Sequence, residues 1–165
     1  MPKMKKNEAK NVECRERSEC SGAPWKKICL AAAIVTVIAY AVHSVGAFLT
    51  MDYYANPAYY PLWSTLMMPG RGPPGLDFFA FSLAFSFIGA ALYGFAYSLL
   101  RRALPDEGMR KGLAFGALLF LIAGVPSTLS MYLLFAVPAG LIAAWTVEAF
   151  VVFLVTGVVI QKIVK

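Results

Sequence analysis

Two side chains carry most of the chemical interest of this sequence. His43 is its only histidine, and Glu148 is an acid set deep inside an apolar run. A carboxylate in a hydrocarbon layer costs several kcal/mol unless it is paired or hydrated, so such a residue by default marks function or holds a partner. A His–Glu pair can share one proton between imidazole and carboxylate. That chemistry suits proton-coupled movement, a quinone-type headgroup or a single metal ion. The plainer reading is a hydrogen bond that ties two helices together.

The remaining inventory is thin. Cys14, Cys20 and Cys29 have the spacings C-x5-C and C-x8-C, whereas zinc sites use tight C-x2–4-C pairs. Free thiols are expected. Met51, Met67 and Met68 offer soft thioethers of the kind that take Cu(I), but methionine is also a common membrane residue. The stretch Gly70 to Gly75 (GRGPPG) lacks the Lys and the Ser/Thr of a phosphate loop. A single histidine excludes a bis-histidine haem from this chain alone. The residues therefore predict no metal site, no cofactor and no catalytic set.

The elements that must position these residues follow from composition. The chain has 165 residues, 59% of them hydrophobic and only 15% charged, where soluble domains average about 25% charged. Half of the 24 charged side chains fall in residues 1–27. This excludes an ordinary soluble globule and, despite a net charge of +6, a nucleic-acid binder. Four apolar stretches of the roughly 20 residues needed to cross a bilayer remain: about 28–51, 78–100, 112–135 and 141–164. The expected fold is all-α, a four-helix transmembrane bundle.

Fourteen of the fifteen Lys and Arg residues lie before the first stretch, between the second and third, or at the C-terminal end; only Arg71 does not. Basic residues mark the cytoplasmic side, so both termini are expected in the cytoplasm and the chain in the inner (plasma) membrane. Residues 1–27 read as a disordered basic cytoplasmic tail; their length and four Glu argue against a cleaved signal peptide. Residues 52–77 are expected outside, with Tyr53, Tyr54, Tyr59, Tyr60 and Trp63 in the interfacial layer favoured by amphipathic rings.

Measured from the expected outer ends, His43 lies eight residues below Met51, Ser86 eight below Phe78, Glu148 seven below Leu141 and Pro126 nine below Phe135. At 1.5 Å per residue four helices bring a polar group to one depth. His43, Glu148, Ser86, Ser127 and Thr128 form the candidate intramembrane site. Pro126 should kink its helix, with Ser127, Thr128 and Ser130 able to bond freed carbonyls. The pairs Ala80/Ala84, Ala90/Gly94, Gly112/Gly116 and Gly140/Ala144 have the small-xxx-small spacing of membrane helix contacts. The inner loop holds Pro105, Asp106 and Glu107, a start for a helical turn. The five residues 136–140 allow only a tight hairpin between spans three and four.

Several features together resemble a group of small four-span prokaryotic integral membrane proteins of unknown function. They are the opening Gly112-Leu113-Ala114-Phe115-Gly116, the internal Pro126, the turn Val137-Pro138, Trp145 followed by Glu148, and His43 with the aromatic segment ending in Leu62-Trp63. The resemblance covers roughly residues 28–165, and the long Cys-containing tail departs from it. It implies four spans and attention to Glu148, and supplies no activity. The expected role is non-enzymatic: an accessory or structural component whose partners are the lipid bilayer and possible further membrane subunits or a second copy. The alternative is a small carrier or sensor for protons, metal or a lipophilic ligand that uses His43 and Glu148.

Overall fold

A long apolar run has to satisfy its backbone hydrogen bonds internally, which makes it a helix. The computed structural model describes residues 24–104 and 108–164, and among them there are helices and turns but no strand. The helices are α1 (Trp25–Leu49), a short α2 (Met51–Ala55), α3 (Leu76–Leu100), α4 (Gly108–Leu119), α5 (Val125–Leu134) and α6 (Ala139–Ile163). A π-type turn, Phe120–Gly124, joins α4 to α5. Trp25–Leu49, Leu76–Leu100, Gly108–Leu134 and Ala139–Ile163 are each long and apolar enough to cross a membrane. The protein is an all-α, multi-pass membrane bundle.

Each span starts two to four residues before the apolar stretch read from the sequence. Trp25, Lys26 and Lys27, expected at the end of a disordered tail, are helical, because a lysine at a helix end can carry its ammonium to the interface on its own alkyl stem. The rest of the tail, residues 1–23, and the turn expected at Pro105, Asp106 and Glu107 lie outside the described residues.

α1 and α6 form the central pair. α3 packs on the flank of α1, and α4 packs on the flank of α6. At the end that carries Trp25 and Ile163, here the basic end, all four spans meet. Ile28, Tyr97, Phe115, Leu119 and Ile160 form one buried cluster there, with the Tyr97 and Phe115 rings edge to face at 5.1 Å. Toward the opposite, aromatic end the outer helices diverge. α3 buries nothing before Ala90, and α5 buries no residue at all. The result is a cleft between α3 and α5, floored by α1 and α6 and closed at the basic end.

Small residues set the closest helix contacts. Gly112 and Gly116 lie against the backbone of Val158 and Leu154, and Gly157 lies against Gly112 and Gly116. Ala90 and Gly94 are buried, with Gly94 on the side chain of Ile28. Ala80 and Ala84, which have the same spacing, are exposed. They stand on the divergent half of α3, where there is no helix to meet. Gly140 is exposed to solvent or lipid but lies against the Tyr53 hydroxyl and not against a helix.

The kink expected at Pro126 takes the form of the wide turn before it. Proline has no N–H and its ring crowds the carbonyl four residues back, here that of Ile122. Widening the turn over Phe120–Gly124 relieves this crowding and keeps α4 and α5 one span. Thr128, one of the hydroxyls able to bond freed carbonyls, meets Thr146 of α6 at 3.3 Å.

The connection 50–75 is neither span nor extended loop. Thr50 ends α1 with its hydroxyl on the Gly46 carbonyl at 2.8 Å. The Asn56 side chain accepts from the Ala58 N–H and starts a 3-10 turn over Pro57–Leu62. A second tight turn, Pro69–Arg71, holds Gly70 at φ 61°, a left-handed conformation that glycine adopts without strain.

Candidate functional site

The cleft encloses a cavity of about 910 Å³. All five polar residues singled out in the sequence line it. His43 comes from α1, Ser86 from α3, Ser127 and Thr128 from α5, and Glu148 from α6. Four helices thus deliver polar groups to one space. The equal depths measured along the sequence correspond to a shared wall.

His43 Nδ1 stands 3.0 Å from Glu148 Oε2. With the proton on Nδ1, the imidazole donates to the carboxylate and Nε2 is left as an acceptor; with both nitrogens protonated, the contact is an ion pair. Glu148 is 13% exposed and His43 55%. The carboxylate is therefore the more buried member of the pair, and both side chains line the cavity. Gly46, one turn after His43 on α1, makes room for it. A Cβ at Gly46 would overlap the Glu148 carboxyl.

A hydroxyl chain continues the polar wall. Thr146, one residue pair before Glu148, donates to the Ile142 carbonyl at 2.7 Å. Its oxygen is then free to accept from Thr128 across the helix interface. Gly124 also lines the cavity, and the Phe120 ring lies over it where any side chain would collide.

The mouth at the aromatic end is covered by the 50–75 connection. Trp145 Nε1 donates to Tyr54 Oη at 3.1 Å. Tyr54 stacks on Trp63 at 4.9 Å, and Trp63 stands edge-on to Trp145 at 6.2 Å. Met51, Met67 and Met68 all contribute to the cavity wall, joined there by Met131 of α5. Among the described residues no group of three or more His, Cys, Asp and Glu comes together as a metal site. Cys29 is exposed and free; Cys14 and Cys20 lie outside the described residues.

Burial raises the pKa of Tyr54, and the charge of Glu148 acts in the same direction, against hydrogen bonds with Trp145 and Thr50. The docked segment therefore favours the neutral phenol. Its contribution to stability is complete below the unfolded value of 10.0 and is lost as pH rises through the higher folded value. In an alkaline titration followed at 295 nm, Tyr54→Phe should remove a late-ionising phenol. It should also lower the unfolding free energy by about 1 kcal/mol, the usual worth of one hydrogen bond. Loss of an early-ionising phenol instead would contradict the docking.

Sequence reasoning missed Gly46, Thr146 and Tyr54. Thr146 and Tyr54 had detectable signals, a polar residue two positions from Glu148 and an aromatic next to the first span. Gly46 had none, since its role depends on which helix faces it. Comparison of the chain with family models, curated proteins and solved structures finds no match.

Proposed function

We propose that this protein binds a small lipophilic ligand in the α3/α5 cleft and acts as a non-enzymatic carrier or sensor in the plasma membrane. Both termini lie in the cytoplasm in this reading, as the basic residues at the closed end favour. The Tyr- and Trp-rich connection then sits at the outer interface. The cavity itself carries the proposal. Ligand sites are typically apolar spaces of about 300–1,000 Å³ with a few convergent polar groups, and this cavity has about 910 Å³ with His43, Glu148 and six Ser and Thr hydroxyls on its wall. A bundle needing only a structural His–Glu tie would gain by filling such a space, since empty volume forfeits packing.

Binding of the neutral fluorophore 1-aminoanthracene to the purified protein in lipid nanodiscs tests this. The expected result is saturable fluorescence enhancement above that of empty nanodiscs. Ser127→Trp, which places an indole in the cavity, should weaken it by at least about tenfold, or 1.4 kcal/mol, with the helical circular dichroism signal as the folding control. Linear partitioning identical to empty nanodiscs would return the protein to an accessory or structural role.

A further inference from the structure

The cavity wall has a marked charge asymmetry. Glu148 is the one acid on it, and among the described residues that line it there is no Lys or Arg. The titratable side chains facing the space are Tyr40 and His43 from α1, Tyr54 from α2, Tyr93 from α3 and Glu148 from α6; α5 and the 57–75 stretch add hydroxyl, thioether and proline groups only. With His43 neutral, the site holds a net charge of −1 in a low-dielectric setting. An anionic headgroup would find no counter-charge there and would face the Glu148 carboxylate.

The apolar part of the wall points the same way. Tyr40, Tyr54, Phe79, Tyr93, Trp145 and Phe153 all border the space. Aromatic faces attract cations through their quadrupoles, most strongly where water is excluded, and aromatic-lined sites recognise quaternary ammonium groups. Glu148 is not sealed away either. Among the described residues the one buried side-chain polar atom without a partner is Trp63 Nε1, so neither carboxylate oxygen is an orphan cut off from the cavity.

We propose that the ligand of this cavity is a lipophilic monocation, an aryl- or alkyl-substituted ammonium or phosphonium ion, held by the Glu148 carboxylate and the surrounding rings. A proton on His43 competes with it. The proton turns the pair into imidazolium and carboxylate, 3.0 Å apart, and cancels the charge that attracts the cation. Binding the cation in turn expels that proton to solvent, up to one per cation bound. The two equilibria are linked, so each weakens the other by the same factor. This rests on the cleft being a ligand site.

The test uses the full chain in nanodiscs of zwitterionic phosphatidylcholine, titrated calorimetrically with tetraphenylphosphonium and with tetraphenylborate, ions of opposite charge and nearly the same shape. The phosphonium should bind saturably and at least about tenfold more tightly than the borate, a difference of 1.4 kcal/mol. Its affinity should fall by about tenfold as the pH is lowered from roughly 8 to roughly 5, with proton release on binding at the lower pH. Glu148→Gln should abolish the preference for the cation, and His43→Gln should flatten the pH profile. Equal or tighter binding of the borate to the wild-type protein overturns the proposal without recourse to any variant. So does Glu148→Gln that keeps the full cation preference. If 1-aminoanthracene binds but the phosphonium does not, the charge assignment fails and the cavity reading stands; if neither binds, both fail.

Discussion

Gly157→Ala is expected to lower the unfolding free energy of the bundle by about 3 kcal/mol, the upper end of what overpacking costs. Gly157 stands where α6 crosses α4, and an added Cβ would collide with the Gly112 carbonyl oxygen, the Gly116 nitrogen and the Gly116 Cα. These are backbone atoms of a helix, so no rotamer change clears them. The helices must separate, and separation strips contacts along their whole seam. Membrane helices gain nothing from hydrophobic expulsion and hold together by close packing, so this loss has no compensation. Gly89→Ala is the matched control. Nothing lies within 4 Å of its Cβ position, so it should gain up to about 1 kcal/mol from helix propensity alone. Detergent unfolding followed by circular dichroism compares the two. Equal effects would mean that the α4/α6 seam is not where the bundle is held.

That seam was half legible. The Gly112/Gly116 spacing marks a helix contact in the sequence, and the short link 136–140 fixes span four as its neighbour. Gly157, the residue that receives both glycines, belongs to no such spacing in the pairs read from the sequence. Ala80/Ala84 has a good spacing and no helix opposite. Small-xxx-small spacing records that a helix could be approached closely, and only the packing order decides whether one is there. The packing order α3–α1–α6–α4 has no local signal: α3 is followed in the chain by α4, yet the two touch chiefly through Tyr97 and Phe115.

Charge decided the boundaries in sequence reading, and helices do not stop at charges. Lys26, Lys27, Arg110 and Lys111 all lie within helices, because backbone hydrogen bonding continues to the interface while long basic side chains reach beyond it. The polar layer was more legible than the packing. Depth along a span depends only on helical rise, so His43, Ser86, Thr128 and Glu148 could be placed at one level before any helix was placed beside another. Whether that level was a plugged core or an open cleft depended on α3 and α5 splaying apart. Hydropathy is blind to this, since a residue facing lipid and one facing an apolar cavity need the same side chain.

Gly46→Ala should unseat Glu148 and cost about 2 kcal/mol, the range for a hydrogen bond to a charged group. The added methyl would occupy the carboxyl's place against α1. Unlike the backbone walls around Gly157, a carboxylate can move, but it moves at the expense of the 3.0 Å contact with His43. A double-mutant cycle separates this from a general packing fault. In a Glu148→Ala background the niche is already empty, so Gly46→Ala should cost nothing and could gain up to about 1 kcal/mol as a better helix former. The interaction energy should thus be about 2 kcal/mol or more, read from unfolding in detergent. The imidazole signals of His43 should shift with Gly46→Ala in the wild-type background and stay still in the other. An equal cost in both backgrounds would mean that Gly46 serves the contact between α1 and α6 directly, and that the seat of the carboxylate lies elsewhere.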